Sequence, residues 1–380
     1  MKQKRIRYFD IARGIAILCV IAGHNALLAQ QVATARTAEW VISFCFSFHM
    51  PLFFILSGFF MHPERPFQWK KEAQQLICTY LVTAILVLIG IAVAAVALHV
   101  DVGDALIDWG NAALFGAGDF HPHTLWPVNG RIGAIWFLLA LFWAHLLLHL
   151  IYRLPYHIIW VILCFIVGYW SGHDIWLPWS IQSGMCAVSF LYLGVQAKRY
   201  KVLDLMDKYP LLWILAAAVW ATSIVWFGGF SMAVNQYGTR PVLAVIGSIA
   251  GTVCVVGISR LLDHVKGIGT VLAFAGRNSL GLLCAHLIED DVLPWLLIMN
   301  HIRNAVTWMP LWFVGLTICV ILDSAIAVLL YRIPVINTWF YPRLLKQEHS
   351  SPKAHLDQDS REDLPYAPST NMLQDSVSSK

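Results

Sequence analysis

Two long apolar segments near the start of the chain each carry a histidine, which a plain membrane anchor does not need. In the first segment, His24 follows Arg13 by eleven residues. At about 100° per residue, eleven steps of a helix return to nearly the same face, and a rise of about 1.5 Å per residue separates the two residues by roughly 16 Å. His24 would then lie near the middle of a hydrocarbon layer about 30 Å thick, with Arg13 at its edge.

A neutral imidazole ring at His24 could accept a proton at one nitrogen while the other nitrogen donates to an orienting partner. A general base that activates a hydroxyl group needs this arrangement. The alternative is a polar contact between helices that fixes their packing. Because ionisable side chains are costly inside a membrane, we take His24 as the first candidate for catalysis.

The second segment carries His49 two residues before Pro51 and ends in Ser57 and Gly58. The proline removes a backbone donor and predicts a kink beside the histidine, and the small pair predicts a close approach of helices. His49 enters from the opposite side of the membrane, so it could converge with His24 on one site. There it could orient His24, protonate a leaving group or bind an acceptor, or it could serve packing alone.

Two further ionisable residues fall within later apolar segments. His286 follows Asn278 and Ser279 on one predicted helix face and reaches mid-depth, which makes all three candidate cavity-lining residues, with a packing role as the alternative. Asp323 needs a partner inside a membrane. Structural hydrogen bonding explains it at least as well as catalysis.

A metal site is not expected. His145 and His149 have the spacing of a helical ligand pair, but no HExxH glutamate or further ligand motif accompanies them. The cysteines all fall in apolar segments without a CxxC pair, and we interpret them as small buried hydrophobic residues: Cys19, Cys45, Cys78, Cys164, Cys186, Cys254, Cys284 and Cys319.

The composition predicts an all-α, polytopic membrane protein. Of 380 residues, 58% are hydrophobic and 13% are charged, with a mean hydropathy of +0.65, whereas an ordinary soluble domain is about 25% charged. The net charge of +4 is too small to indicate the basic surface that binds nucleic acid. The basic N-terminus and first apolar run could pass for a signal peptide, but Arg13 and His24 interrupt the run, and we predict a span instead.

We place ten transmembrane helices, near 11 to 29, 43 to 61, 77 to 98, 134 to 150, 158 to 170, 181 to 197, 211 to 227, 242 to 260, 271 to 297 and 311 to 331. If the N-terminus lies inside, nearly all loop Lys and Arg residues lie inside as well. The outer loops then hold Arg36, Arg131, Arg240 and Arg303. The positive-inside rule therefore places both termini in the cytoplasm.

The outer side is predicted to be acidic, and residues 289–291 are assigned to it. The longest outer loop, 100 to 133, contains His121 and His123 and would suit a sugar acceptor through ring stacking and hydrogen bonds; an ordinary polar loop is the alternative. After residue 345 the composition turns polar and rich in serine. We predict a membrane domain over 1–345 and a disordered cytoplasmic tail over 346–380.

Five sequence motifs occur in order along these spans. They are Arg-x10-His ending at His24, the run from His49 to Phe59, the run from Trp136 to Phe142, Asn235-Gln-Tyr237-Gly238, and Asn278-Ser279 followed by His286. With these motifs, the chain resembles the acyltransferase-3 family of integral membrane O-acyltransferases, and within it the fucose 4-O-acetylase-like branch.

The resemblance implies the reaction and its participants. An acyl group, by the resemblance acetyl, would pass from cytoplasmic acetyl-CoA to a hydroxyl of an envelope glycan or its lipid-linked precursor. The alternatives within the same enzyme class are succinyl-CoA as donor and a peptide or small molecule as acceptor. Arg13 would hold the phosphates of the donor, to which a guanidinium group is matched, or else anchor the helix at the interface. His24 would act as base or become acylated, His49 would assist, and Trp136, Asn235 and Tyr237 would line the substrate path.

Localisation in a bacterial cytoplasmic membrane follows from the same resemblance. A transporter or glycan exporter is the rival class, because many spans and polar residues at mid-depth would serve it too. No inverted repeat is visible in the sequence, which favours the enzyme.

Overall fold

The computed structural model describes residues 6–340, and this range is almost entirely helical. Within it, the extended pairings are isolated bridges between Thr124 and Trp176 and between Ser231 and Gln236. The predicted all-α helix bundle is confirmed in this general form. The predicted tail and the domain boundary at residue 345 lie outside the described residues.

The helices follow one another in chain order with short connections. They are α1 (Arg7–Val32), α2 (Arg36–Phe46), α3 (His49–Phe60), α4 (Trp69–Glu72), α5 (Thr79–Leu98), α6 (Val102–Phe115), α7 (Trp136–Ile151), α8 (His157–Asp174), α9 (Ile181–Arg199), α10 (Val202–Lys208), α11 (Leu211–Val225), α12 (Pro241–Leu262), α13 (Ile268–Arg277), α14 (Ser279–Val292), α15 (Trp295–Ala305), α16 (Leu311–Arg332) and α17 (Pro334–Phe340). A π-helical turn, Ala73–Cys78, joins α4 to α5.

Among the described residues, six helical stretches are long and apolar enough to cross a membrane: Arg7–Val32, Arg36–Phe60, Trp69–Leu98, Gly133–Ile151, Pro241–Leu262 and Leu311–Arg332. Two bent pairs, α10 with α11 and α13 with α14, raise the number to eight if each pair is one span. The other two of the ten predicted spans form α8 and α9, which do not meet the same measure of length and hydropathy. Both helices end in polar residues.

Two predicted spans are not straight helices. The second breaks between α2 and α3, before Pro51 rather than at it. Pro51 is the third residue of α3, where its missing N–H costs no helical hydrogen bond. The ninth, predicted as one segment from 271 to 297, is three helices, and α13 meets α14 at an angle of 75°. Residues 289–291, which were assigned to the outer side at the end of this span, belong to α14.

Two helix pairs pack with their backbones in contact. A Cβ atom at Gly14 would collide with the carbonyl of Leu272, and one at Gly276 with the carbonyl of Asp10, so α1 lies directly against α13. Gly58 of α3 and Gly194 of α9 meet in the same manner. Glycine permits this approach because it lacks a side chain, as the Ser57-Gly58 pair predicted.

Candidate active site

His24 and His49 line one small cavity where α1, α3 and the start of α7 come together. Its wall also includes Phe46, Arg131 and Trp136. The cavity has about 60 Å³ of free volume, which is room for more than one water molecule, since one water needs roughly 10 to 15 Å³. A reacting hydroxyl group could therefore lie within reach of both histidines.

Helix α14 brings a carboxylate to the side of His24. The Oδ2 atom of Asp290 lies 3.9 Å from Nδ1 of His24, within ion-pair range but longer than a direct hydrogen bond. The two side chains are 16% and 7% exposed, so water screens the pair only in part. With Nδ1 facing the carboxylate, Nε2 remains for a substrate.

His49 is held by the turn that precedes it. Its Nδ1 atom lies 2.6 Å from the carbonyl oxygen of Cys45. Because a carbonyl oxygen can only accept, Nδ1 carries the proton, and Nε2 of the neutral ring presents a lone pair. The ring of Phe46 lies edge-on at 5.0 Å from His49 and stacks at 5.9 Å on His24. His49 is thus equipped to accept a hydrogen bond.

A buried ionisable cluster lies behind His24. The ring of His286 meets that of His24 at 5.5 Å between centroids. Its Nδ1 atom lies 3.4 Å from Glu289 and 3.3 Å from Asp323, the partner that the aspartate needed. Among the described residues, no side-chain polar atom of these three makes a hydrogen bond.

One atom from each of His286, Glu289 and Asp323 lies within 4.8 Å of the others, so the cluster could hold a metal ion. The expectation that the protein uses no metal stays a prediction. With or without a metal ion, the carboxylates of Glu289 and Asp323 require a positively charged neighbour, because buried charges persist only when they are paired.

Arg13 lies away from the cavity, near the other end of α1. Its guanidinium group is 3.6 Å from the carboxylate of Asp10 and 5.2 Å from the ring centroid of Phe60. The side chain is 13% exposed. The structure therefore does not bring Arg13 to His24, in keeping with the predicted separation along the helix.

Asn278 and Ser279 lie at the bend between α13 and α14. The amide of Asn278 donates to the carbonyl of Phe274. Neither residue lines the cavity of His24. Their place in the structure is therefore the turn that directs α14, and with it Asp290, toward α1.

Asn235 and Tyr237 line a second, larger pocket of about 450 Å³, together with His121, His123 and Tyr169. The amide of Asn235 donates to two backbone carbonyls, which fixes the loop between α11 and α12. Burial raises the pKa of Tyr237 well above its usual value, so its hydroxyl keeps its proton. The segment from 230 to 238 lines both this second pocket and the cavity of His24.

Asp290 was not among the predicted site residues. It follows His286 by four residues, a spacing that places both on one helix face. The signal was missed because the three consecutive acidic residues were interpreted as part of an acidic outer side.

A membrane-spanning helix bundle with two histidines around one cavity and a carboxylate beside one of them is equipped for proton transfer. The family model described as Acyltransferase domain, of the acyltransferase-3 family, matches residues 6–332. The chain therefore belongs to this family, and it is an acyltransferase that acts on hydroxyl groups. Neither the curated proteins nor the solved structures contain a match to it. The fucose 4-O-acetylase-like branch stays a prediction.

Proposed function

We propose that the protein transfers an acetyl group from cytoplasmic acetyl-CoA to a hydroxyl of an envelope glycan or its lipid-linked precursor. The observation that carries the proposal is the shared cavity of His24 and His49, with Asp290 beside it. Membership of the acyltransferase family supports an enzyme rather than the rival transporter. Acetyl, coenzyme A and the glycan come from the family resemblance.

In the proposed reaction, Nε2 of His24 takes the proton of the acceptor hydroxyl as its oxygen attacks the thioester carbonyl. The carbon–sulfur bond breaks, and the proton passes to the leaving thiolate. Asp290 stabilises the imidazolium that forms in between. His49 presents an unprotonated Nε2 atom, so it accepts a hydrogen bond from a second hydroxyl of the acceptor sugar and positions that sugar rather than protonating the leaving group.

The acceptor side of the proposal is supported by two adjoining pockets. The second pocket offers imidazole and phenol groups, which stack on sugar rings and bond their hydroxyls. Tyr169 and Tyr237 also line an apolar groove of about 390 Å³ between α8, α9 and α12. A polar pocket that continues into an apolar groove is suited to a sugar carried on a lipid.

The donor side is supported by Arg13 and by the predicted orientation of the chain. Arg13 lies at the end of α1 that the positive-inside rule places in the cytoplasm. Reporter fusions at Lys71 and Lys266 are expected to give cytoplasmic signals, and a fusion at Asp104 an external one. Two reversed reporters would remove the proposed cytoplasmic donor.

The reaction is tested by mass spectrometry of envelope glycans from a bacterium that carries the gene, its deletion strain and the complemented strain. An acetyl-sized mass increment should disappear on deletion and return with wild-type protein but not with His24→Gln. Dialysis of the purified protein against EDTA should leave transfer unchanged, because no step uses a metal. An unchanged glycan profile in the deletion strain would remove the proposed acceptor class.

A further inference from the structure

A second set of side chains forms a serine–histidine–glutamate relay outside the cavity of His24. The Oγ atom of Ser57 lies 2.9 Å from Nε2 of His145. Nδ1 of the same ring lies 2.8 Å from Oε2 of Glu72. Since a carboxylate only accepts, Nδ1 donates to Glu72, and Nε2 is left to accept the Ser57 proton. This is the order of bonds that activates a serine nucleophile.

The hydroxyl of Ser57 bonds a side chain rather than a backbone carbonyl. The hydroxyls of Thr79, Thr83 and Ser259 bond the carbonyl one turn earlier, and that of Ser183 donates to a carbonyl outside its helix. The hydroxyl of Ser57 contacts the ring of His145 in α7, which in turn contacts the carboxylate of Glu72 in α4. Directly after Glu72 comes the π-helical turn, a feature frequent at functional sites.

The relay opens onto a pocket of about 230 Å³. Ser57, Glu72 and His145 all line it, and the side chains of His145 and Glu72 are 13% and 18% exposed. Arg65 and Lys71 line the same pocket, on the side predicted to face the cytoplasm. Cationic side chains beside a nucleophile suit an acyl donor that carries phosphate groups.

This pocket is separate from the cavity of the two catalytic candidates. Ser57 follows His49 by eight residues in α3, roughly 12 Å along the axis at about 1.5 Å per residue. A serine ester is too short to span that distance. Chemistry at Ser57 is therefore a step of its own.

We propose that Ser57, His145 and Glu72 form a second catalytic centre, which accepts an acyl group from a coenzyme A thioester on the cytoplasmic side. The donor is that of the proposed function. The Ser57 oxygen bonds to the thioester carbonyl carbon, the carbon–sulfur bond breaks, and the serine proton passes through His145 to the leaving thiolate. In the return step, water attacks the ester with His145 as base. The carboxylic acid is released, and the proton returns to Ser57.

The first test uses a fluorophosphonate probe, which reacts with activated serines and needs no knowledge of the donor. The full-length protein in detergent should be labelled at Ser57, as located by peptide mass spectrometry. Labelling should vanish in Ser57→Ala and slow by about 10²-fold or more in His145→Gln, which lacks the base. Ser189→Ala is the matched control, because that hydroxyl bonds a carbonyl of its own helix, and it should label as wild type does.

The second test follows the acyl group itself. Incubation with acetyl-CoA should produce an acetylated Ser57 peptide and slow release of free thiol, both lost in Ser57→Ala. Both should persist in His24→Gln, so a failure of this centre and a failure of the proposed transfer to glycan are seen separately. If Ser57 resists the probe and carries no acetyl group while Ser57→Ala and wild type have equal thermal stability, the proposal is overturned. If the relay were purely structural, Ser57→Ala would be less stable than wild type and Ser57 would stay unlabelled in the wild-type protein. That result would also overturn the proposal.

Discussion

Replacing Asp290 with asparagine is the sharpest test of the proposed role of His24. The substitution keeps the size of the side chain and removes its negative charge. In the structure this charge lies 3.9 Å from Nδ1 of His24, the nitrogen that faces away from the substrate. If His24 becomes an imidazolium during proton transfer, Asp290 stabilises the charged ring.

The size of the effect follows from that distance. Two unit charges about 4 Å apart interact by about 4 kcal/mol at an effective dielectric constant of about 20. Each loss of about 1.4 kcal/mol slows a reaction tenfold. Asp290→Asn should therefore lower kcat by about 10² to 10³-fold, with little change in the KM of either substrate because the charge acts in the transition state.

The assay is transfer of labelled acetyl from acetyl-CoA to purified acceptor by protein in liposomes, at several concentrations of both substrates. Asp291→Asn is the matched control. That carboxylate is the next residue in α14, but it accepts a hydrogen bond from the indole of Trp109 instead. A kcat for Asp290→Asn within threefold of the control would refute the idea that this carboxylate stabilises a charged His24.

Three further outcomes are expected. Arg13→Ala should weaken acetyl-CoA binding, measured by calorimetry, by about 1.5 to 3 kcal/mol, the range of hydrogen bonds to charged groups. Arg13→Lys should retain part of this binding energy, and normal binding in both variants would leave Arg13 as an anchor only. His49→Ala should raise the acceptor KM more than it lowers kcat, because Nε2 of His49 accepts a hydrogen bond from a second hydroxyl of the acceptor. An unchanged KM would contradict this. His286→Ala should cost about 3 to 5 kcal/mol of folding stability, because Glu289 and Asp323 lose their positive neighbour. An unshifted denaturation midpoint in detergent would show that the charges of these two carboxylates do not depend on His286.

Much of the helical architecture could be predicted from apolar runs, because segments that bury all their backbone groups in a membrane must be helical. The separation of Arg13 from His24 follows from helix geometry alone. The breaks could not be predicted in the same way. The bend at Asn278 and the break before His49 depend on how neighbouring helices pack, as at Gly276 against Asp10.

The site was harder to predict where it joins distant parts of the chain. His24 and His49 stand out because histidine is rare in apolar segments, whereas Asp290 lies in a run of three acidic residues that was assigned to the outer side. Ser57, Glu72 and His145 come from three separate helices. No spacing in the sequence predicts that these three side chains lie together. His145 was considered only as a possible metal ligand, because it precedes His149 by one helical turn.

The paired glycine contacts also determine which parts of the bundle can move. Gly14 and Gly276 fix α1 to α13, and Gly58 fixes α3 to α9, because backbones in contact leave no side chains between them to rearrange. His24 therefore moves with the first pair of helices and His49 with the second. A group larger than the cavity of about 60 Å³ between them can enter only if one pair shifts relative to the other. The spacing of the two histidines then depends on how the two pairs of helices close around the substrate.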